Sequence, residues 1–477
     1  MDESTAYTHG SPLLRLPLEL LLRVSHHLTT IELGNLRLSC RHVESSLFHS
    51  FAREFFLHKQ FNLTEFSLKA LVAVSRSRMA PHLRFLHIGL ETVSHASMCQ
   101  TQRSAAHTHR HNRLHAENWI LSATGQDVVL LAEALRGLVN LEDVVLRDTN
   151  SSRRSRDGHG ATWRSYGDAT FRQQTGTLLS NAMALRDDEF ASYRVLIKTL
   201  QALAAADANV GGIELLLRRH GVPWRGTFYI PEYLVPTVRP VLAKLTKLHL
   251  VIGDNYRARP NVDSFDAETW SFDLRTFLSY VPNLRDFRFN GQGGNTVVFA
   301  RFLEWLSLDA GSAAPPPAGV TNSEETAIIQ AGPPPVGFPQ LTRFSLGRIY
   351  LQPPLLVRLL RKFAPTLEDL ALWEVTLCVD DEQELVAWRG LWQELRGLGG
   401  LDKLRRLKVG RQTFDDVQVI RSRPVTARFR DGGGEVEYIG SDWRAFARET
   451  LESAEITRIV QDEDSQDNED NQDSDDD

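Results

Sequence analysis

Four groups of residues in this chain have the type and spacing to do chemistry. His107, His109 and His111 alternate at a spacing of two, which on a strand would put the imidazoles on one side, a set able to hold zinc or nickel. Their segment carries no other strand signal, so a solvated loop is the competing account. Arg153, Arg154 and Arg156 could grip a phosphate or an acidic peptide, or form an ordinary basic loop. Gly291-Gln292-Gly293 begins a dinucleotide-binding phrase, but Thr296 stands where its third glycine belongs, which favours a turn after a strand. Trp373, Trp388 and Trp392 would be interface hot spots if exposed and core residues if not. No GxSxG, HExxH or GxxxxGK[ST] phrase occurs. The sequence thus predicts no catalytic residue, no metal and no cofactor, and a protein that is not an enzyme.

The chain has 477 residues, with 54 Lys and Arg against 60 Asp and Glu, so it is long enough for two or three domains and close to charge balance. That argues against a nucleic-acid partner. Residues 461–477 hold ten acids and no base, which reads as a disordered acidic tail on a nearly neutral body. Cys40, Cys99 and Cys378 are far apart, fit neither a disulfide framework nor a cysteine zinc site, and suit a reducing compartment. The opening MDESTAYTHG lacks the basic start of a secretory signal, and no apolar run approaches the roughly 18 residues a membrane helix needs. An intracellular protein, cytoplasmic or nuclear, with no membrane partner is the expectation.

Stepping outward from these residues, the elements show a repeated phrase, Leu-x-x-Φ-x-Φ with Φ apolar. It occurs as Leu83-Leu86-Ile88, Leu141-Val144-Leu146, Leu245-Leu248-Leu250, Leu284-Phe287-Phe289, Leu341-Phe344-Leu346, Leu367-Leu370-Leu372 and Leu404-Leu407-Val409. The last two positions, two apart, share one face of a strand, and the first leucine packs the turn leading in. Helical periodicity precedes several copies, as in Leu355, Leu356, Leu359, Leu360 and Phe363. Helix, turn and strand in repetition resemble the longer, helix-containing form of the leucine-rich repeat. The spacings of 58, 104, 39, 57, 26 and 37 residues make it an irregular array with inserted loops at about 94–118, 151–175, 254–270 and 308–338. Near the end, 425–430 and 435–439 flank Asp431-Gly432-Gly433-Gly434 and predict a hairpin, followed by a helix from about Ser441 that caps the array.

Residues 14–56 predict three short helices. Leu20, Leu21, Val24 and Leu28 share a face behind Pro17; Thr29 and Glu32 form a capping box before Leu33, Leu36 and Cys40; Val43, Leu47, Phe51 and Phe55 follow at a step of four. A unit of this size has a marginal core, so part of its apolar face is expected to be buried against a partner or the body.

These residues resemble an F-box. Its pattern is met by Leu16-Pro17, Glu19, Leu20-Leu21, Val24, Leu28, Leu33, Leu36-Arg37 and Cys40-Arg41, over about 45 of 477 residues. The resemblance implies an α/β protein with an F-box at 12–58, an irregular leucine-rich-repeat-like substrate-recruitment domain at 59–455 and the tail at 461–477, in the manner of fungal members. It implies docking on the Skp-family adaptor of a cullin-RING ligase through Leu16, Pro17, Leu20, Leu21, Val24, Leu28, Leu33 and Leu36, with an unknown protein substrate on the body. Cys40 is expected in the internal core. A repeat scaffold outside any ligase is the alternative, and an α/β enzyme the third reading.

Overall fold

The computed structural model describes residues 12–93, 104–149, 151–153, 155–158, 161–181, 191–218, 227–253, 264–292, 296–312, 332–380, 383–415, 425–430 and 433–458. Cys99, Arg154 and the acidic segment 461–477 lie outside them.

The N-terminal unit is three helices, α1 (Leu18–His26), α2 (Thr30–Ser39) and α3 (Arg41–Phe56). Pro17 stands at the N-cap of α1, where its missing N–H costs no helical bond. The capping box of α2 is formed, with the Thr29 hydroxyl accepting from the Glu32 N–H and the Glu32 carboxylate accepting from the Thr29 N–H at 2.9 Å. Leu21, Leu33, Val43, Leu47 and Phe55 make the core of the unit, and Cys40 packs against it.

α3 runs through Leu57 into a ten-stranded sheet whose order follows the chain. The strands are His58–Asn62, Phe85–Gly89, Asp143–Arg147, Gly212–Leu216, Lys247–Gly253, Asp286–Gln292, Arg343–Gly347, Asp369–Trp373, Arg406–Gly410 and Glu435–Ile439. Every neighbouring pair is parallel except the last. Parallel neighbours need crossovers, and helices such as Gln126–Gly137, Ala191–Ala206 and Pro353–Phe363 supply them.

The repeated phrase sits in register across this sheet. Leu86, Val144, Ile213, Leu248, Phe287, Phe344, Leu370 and Leu407 form one buried row, and Ile88, Leu146, Leu215, Leu250, Phe289, Leu346, Leu372 and Val409 a second. Ile213 and Leu215 belong to a further copy led by Val210 in place of leucine, inside the longest gap of the sequence pattern. Both rows pack with the helices in one continuous core.

Several expected loops are ordered. Residues 105–123 form a helix, started by the Ser104 hydroxyl, which accepts from the His107 N–H at 3.3 Å. Its buried face includes His111, packed edge-on to Phe171 at 5.8 Å, so apolar counting does not register it. In the 151–175 segment, Asp168–Thr175 is helical and buries Phe171. Within 254–270, residues 264–270 begin the helix Ser264–Ser279. Around 308–338 the Pro333 carbonyl accepts from the Trp305 indole at 3.0 Å and Phe338 is buried. The expected hairpin does not form. Glu435–Ile439 closes the main sheet, whereas Val425–Arg428 joins a second sheet with Tyr350–Leu351, Thr376–Cys378, Thr413–Asp415 and Glu455–Arg458. The two segments thus extend different sheets rather than pairing with each other. Trp443 and Leu451 lie buried in the short helical segment that follows.

Candidate docking site

α1 and α2 put their apolar residues in two places. Leu21 and Leu33, 2 % and 3 % exposed, close the internal core, and Leu28 and Leu36 pack half-buried against it. Leu20 at 44 %, Val24 at 42 %, Ile31 at 76 % and Leu38 at 85 % face outward, with Leu18 and Pro17 beside them and Leu16 half-buried. The spacing of four puts Leu20 and Val24 on one face of α1. Leu18, Ile31 and Leu38 belong to this outward set although the sequence pattern did not single them out; an apolar residue next to a charged one was the available signal. An apolar surface of this kind on a small helical unit is the usual mark of a partner site.

The unit is held on its far side. The Arg37 guanidinium lies 3.4 Å over the Phe51 ring and donates to Glu44 at 2.8 Å, and Glu44 also pairs with Arg78 of the body. Phe48 meets His82 edge-on at 5.5 Å. The unit is therefore joined to the body through α3 and the Arg37 end of α2.

The sheet has a second candidate surface, opposite the helices. Its first row reads Asp143, Gly212, Lys247, Asp286, Arg343, Asp369 and Arg406 on successive strands. Lys247 reaches across Gly212 to Asp143 at 2.8 Å, Arg343 pairs with Asp286 at 3.0 Å, and Arg406 with Asp369 at 3.7 Å. A Cβ at residue 212 would collide with Asp143, so the glycine makes the long bridge possible. Glu214 in the next row pairs with Lys247 and, at 3.5 Å, with His249, which bonds Asp286 at 2.9 Å. Burial would raise the Glu214 carboxyl, but His249 and Lys247 outweigh it and hold the group well below its ordinary value.

Arg348, Glu374 and Arg411 each follow a main-sheet strand and each has a left-handed backbone, with φ of 49°, 51° and 50°. Glu374 accepts from Arg348 at 2.6 Å and lies 3.5 Å from Arg411. Beside this triad the half-exposed Trp373 lies over Gly410, with the Lys408 ammonium 5.0 Å and the Arg411 guanidinium 5.6 Å from its ring. Trp388 and Trp392 are core residues, and the Trp388 indole donates to the Leu451 carbonyl at 2.7 Å.

The other sets singled out by type come apart. His107, His109 and His111 lie on a helix, so spacing two turns His109 away from the other two. Among the described residues no three of His, Cys, Asp and Glu converge as a metal site, and no helix is long and apolar enough to cross a membrane. Gly291 and Gln292 end a strand and Thr296 opens the helix Thr296–Ser307. Arg156 is turned inward, onto the N-terminal unit.

The N-terminal unit is thus a helical docking module joined to a large α/β body. Residues 13–47 match the F-box domain, so the chain carries an F-box in its N-terminal unit. A search of the curated proteins returns no match.

Proposed function

We propose that this protein is the substrate-recognition adaptor of an SCF-type ubiquitin ligase, binding the Skp-family adaptor through α1 and α2 and bringing a protein target to the cullin-bound machinery. The observation that carries this is the outward aliphatic set of Leu20, Val24 and Ile31 within the F-box match. Of the residues the resemblance implied, Leu16, Pro17, Leu20 and Val24 contact the partner directly, with Leu28 and Leu36 at the margin. Leu21 and Leu33 act through the internal core that holds these helices in place.

The body is an irregular, leucine-rich-repeat-like array of the fungal type, and its open sheet face, with Trp373 half-exposed among cationic side chains, recruits the target. The protein contributes proximity and no bond-making step of its own, raising the effective concentration of a target lysine near the conjugating enzyme. It works inside the cell, in the cytoplasm or nucleus. Affinity purification of the full chain, with mass spectrometry of what co-purifies, tests this. Capture of both a Skp-family protein and a cullin is expected; a folded chain that captures neither leaves a repeat scaffold outside any ligase.

A further inference from the structure

The turn joining α1 to α2 sets how their outward faces meet. A helix end leaves carbonyls without intrahelical partners and a helix start leaves N–H groups without them. Here residues more than a hundred positions away add partners at both ends of the turn. Arg156 donates through Nη1 to the Leu28 carbonyl at 2.6 Å and to the Ser25 carbonyl, at the end of α1. Through Nε and Nη2 it donates to the two carboxylate oxygens of Glu54 on α3, each at 2.6 Å. Asp157 accepts from the Thr30 N–H at 2.8 Å and from the Thr30 hydroxyl at 2.7 Å, at the start of α2. The Arg156 side chain is only 8 % exposed.

The same segment is pinned to the sheet. The Tyr166 N–H donates to the Gln60 carbonyl at 2.9 Å, the Gln60 amide donates to the Ser165 hydroxyl at 3.0 Å, and that hydroxyl donates to Glu91 at 2.9 Å. Between the two anchorages Trp163 stands edge-on to Phe55 at 5.3 Å. Residues 155–158 and 161–166 therefore link the edge strand of the sheet to the turn between α1 and α2.

We infer that Arg156 and Asp157 are positioning residues for the docking site. They fix the α1–α2 turn against α3, so that Leu20, Val24 and Ile31 are presented in a single arrangement, and the F-box is completed by a strap from outside its own 13–47 span. The consequence for affinity rests on the docking function proposed above; the structural half does not. A preorganised surface binds more tightly because less freedom is lost on association.

The test pairs hydrogen–deuterium exchange with adaptor binding on the full chain, for Arg156→Ala, Asp157→Ala and the conservative Arg156→Lys. In both alanine variants, exchange over residues 25–33 should rise at least tenfold while α3 and the sheet strands keep wild-type protection. Affinity for a purified Skp-family adaptor should fall on the order of tenfold, with Arg156→Lys between these variants and wild type. Unchanged exchange over 25–33 in a folded variant overturns the inference. So does a parallel rise across α3, which would make these residues mere supports of the core, and so does unchanged affinity with a loosened turn. If the wild-type chain itself does not bind the adaptor, the docking function fails while the exchange comparison still decides the strap.

Discussion

Leu20 and Leu21 are neighbours in the chain with opposite surroundings, one half-exposed and one 2 % exposed among Leu33, Val43, Leu47 and Phe55. The sequence motif names both, because a pattern of leucines marks the amphipathic helix without saying which leucine meets the partner. A charge at Leu21 would break the helical unit; a charge at Leu20 disturbs only the surface. Glu91 is a second residue whose environment was not legible. Burial pushes its carboxyl up to about 7, the Asp168 charge adds to the rise, and the Ser165 hydrogen bond opposes it. The folded state therefore holds this proton more tightly than the unfolded one. The resulting stability is fully present below about pH 4.5 and is lost as pH rises through about 7. His87, pushed down to about 3 by burial and by Arg147, works in the opposite sense, so variant and wild type must be compared at each pH. Glu91→Gln should stabilise the protein by about 1–3 kcal/mol above neutral pH and leave it unchanged near pH 4, read from urea unfolding.

At the scale of the element, α1–α3 were legible because three signals agree: apolar spacing, Pro17 at the start and the Thr29–Glu32 box. The helix 105–123 was not, because a buried histidine stands in its apolar face. The left-handed turns at Arg348, Glu374 and Arg411 were not either, since none carries the glycine or asparagine that marks such a turn. The capping box gives a direct prediction. Thr29→Ala should cost about 1 kcal/mol and speed exchange in the first turn of α2. Leu47→Ala, by contrast, should cost about 2–5 kcal/mol, enough to melt the helical unit before the sheet in a thermal scan followed by exchange. Equal losses for the two would mean that α2 and the core of the unit are not organised as described.

The body is built on one ten-stranded sheet whose strands are matched by charge as well as by apolar packing. Aligning the repeated phrase from its second copy on shows this in the sequence: the residue before the first Φ is Asp143, Lys247, Asp286, Arg343, Asp369 and Arg406, alternating in sign. A slip of one residue in any strand would reverse its buried and open faces together. The strand at Gly212 was invisible for the same local reason that lets it work, since Val210 replaces the lead leucine and glycine replaces the charge. Lys247→Met leaves Asp143 and Glu214 without their shared cation. It should cost about 2 kcal/mol in urea unfolding, less than the roughly 3–5 kcal/mol of a fully buried pair because water still reaches this site. The role of Arg156 and Asp157 escaped sequence reasoning because their partners are more than a hundred residues away, and the sequence shows Arg156 only as one of a basic cluster.

The docking claim is tested most directly by calorimetric titration of a purified Skp-family adaptor with the full chain and with a Leu20→Asp, Ile31→Asp variant, both checked for identical thermal unfolding. Wild type should bind, and the variant should bind at least a hundredfold more weakly, as expected when central apolar anchors become charged. A folded wild type that gives no binding, or a variant that binds as tightly as wild type, would contradict the assignment of this surface.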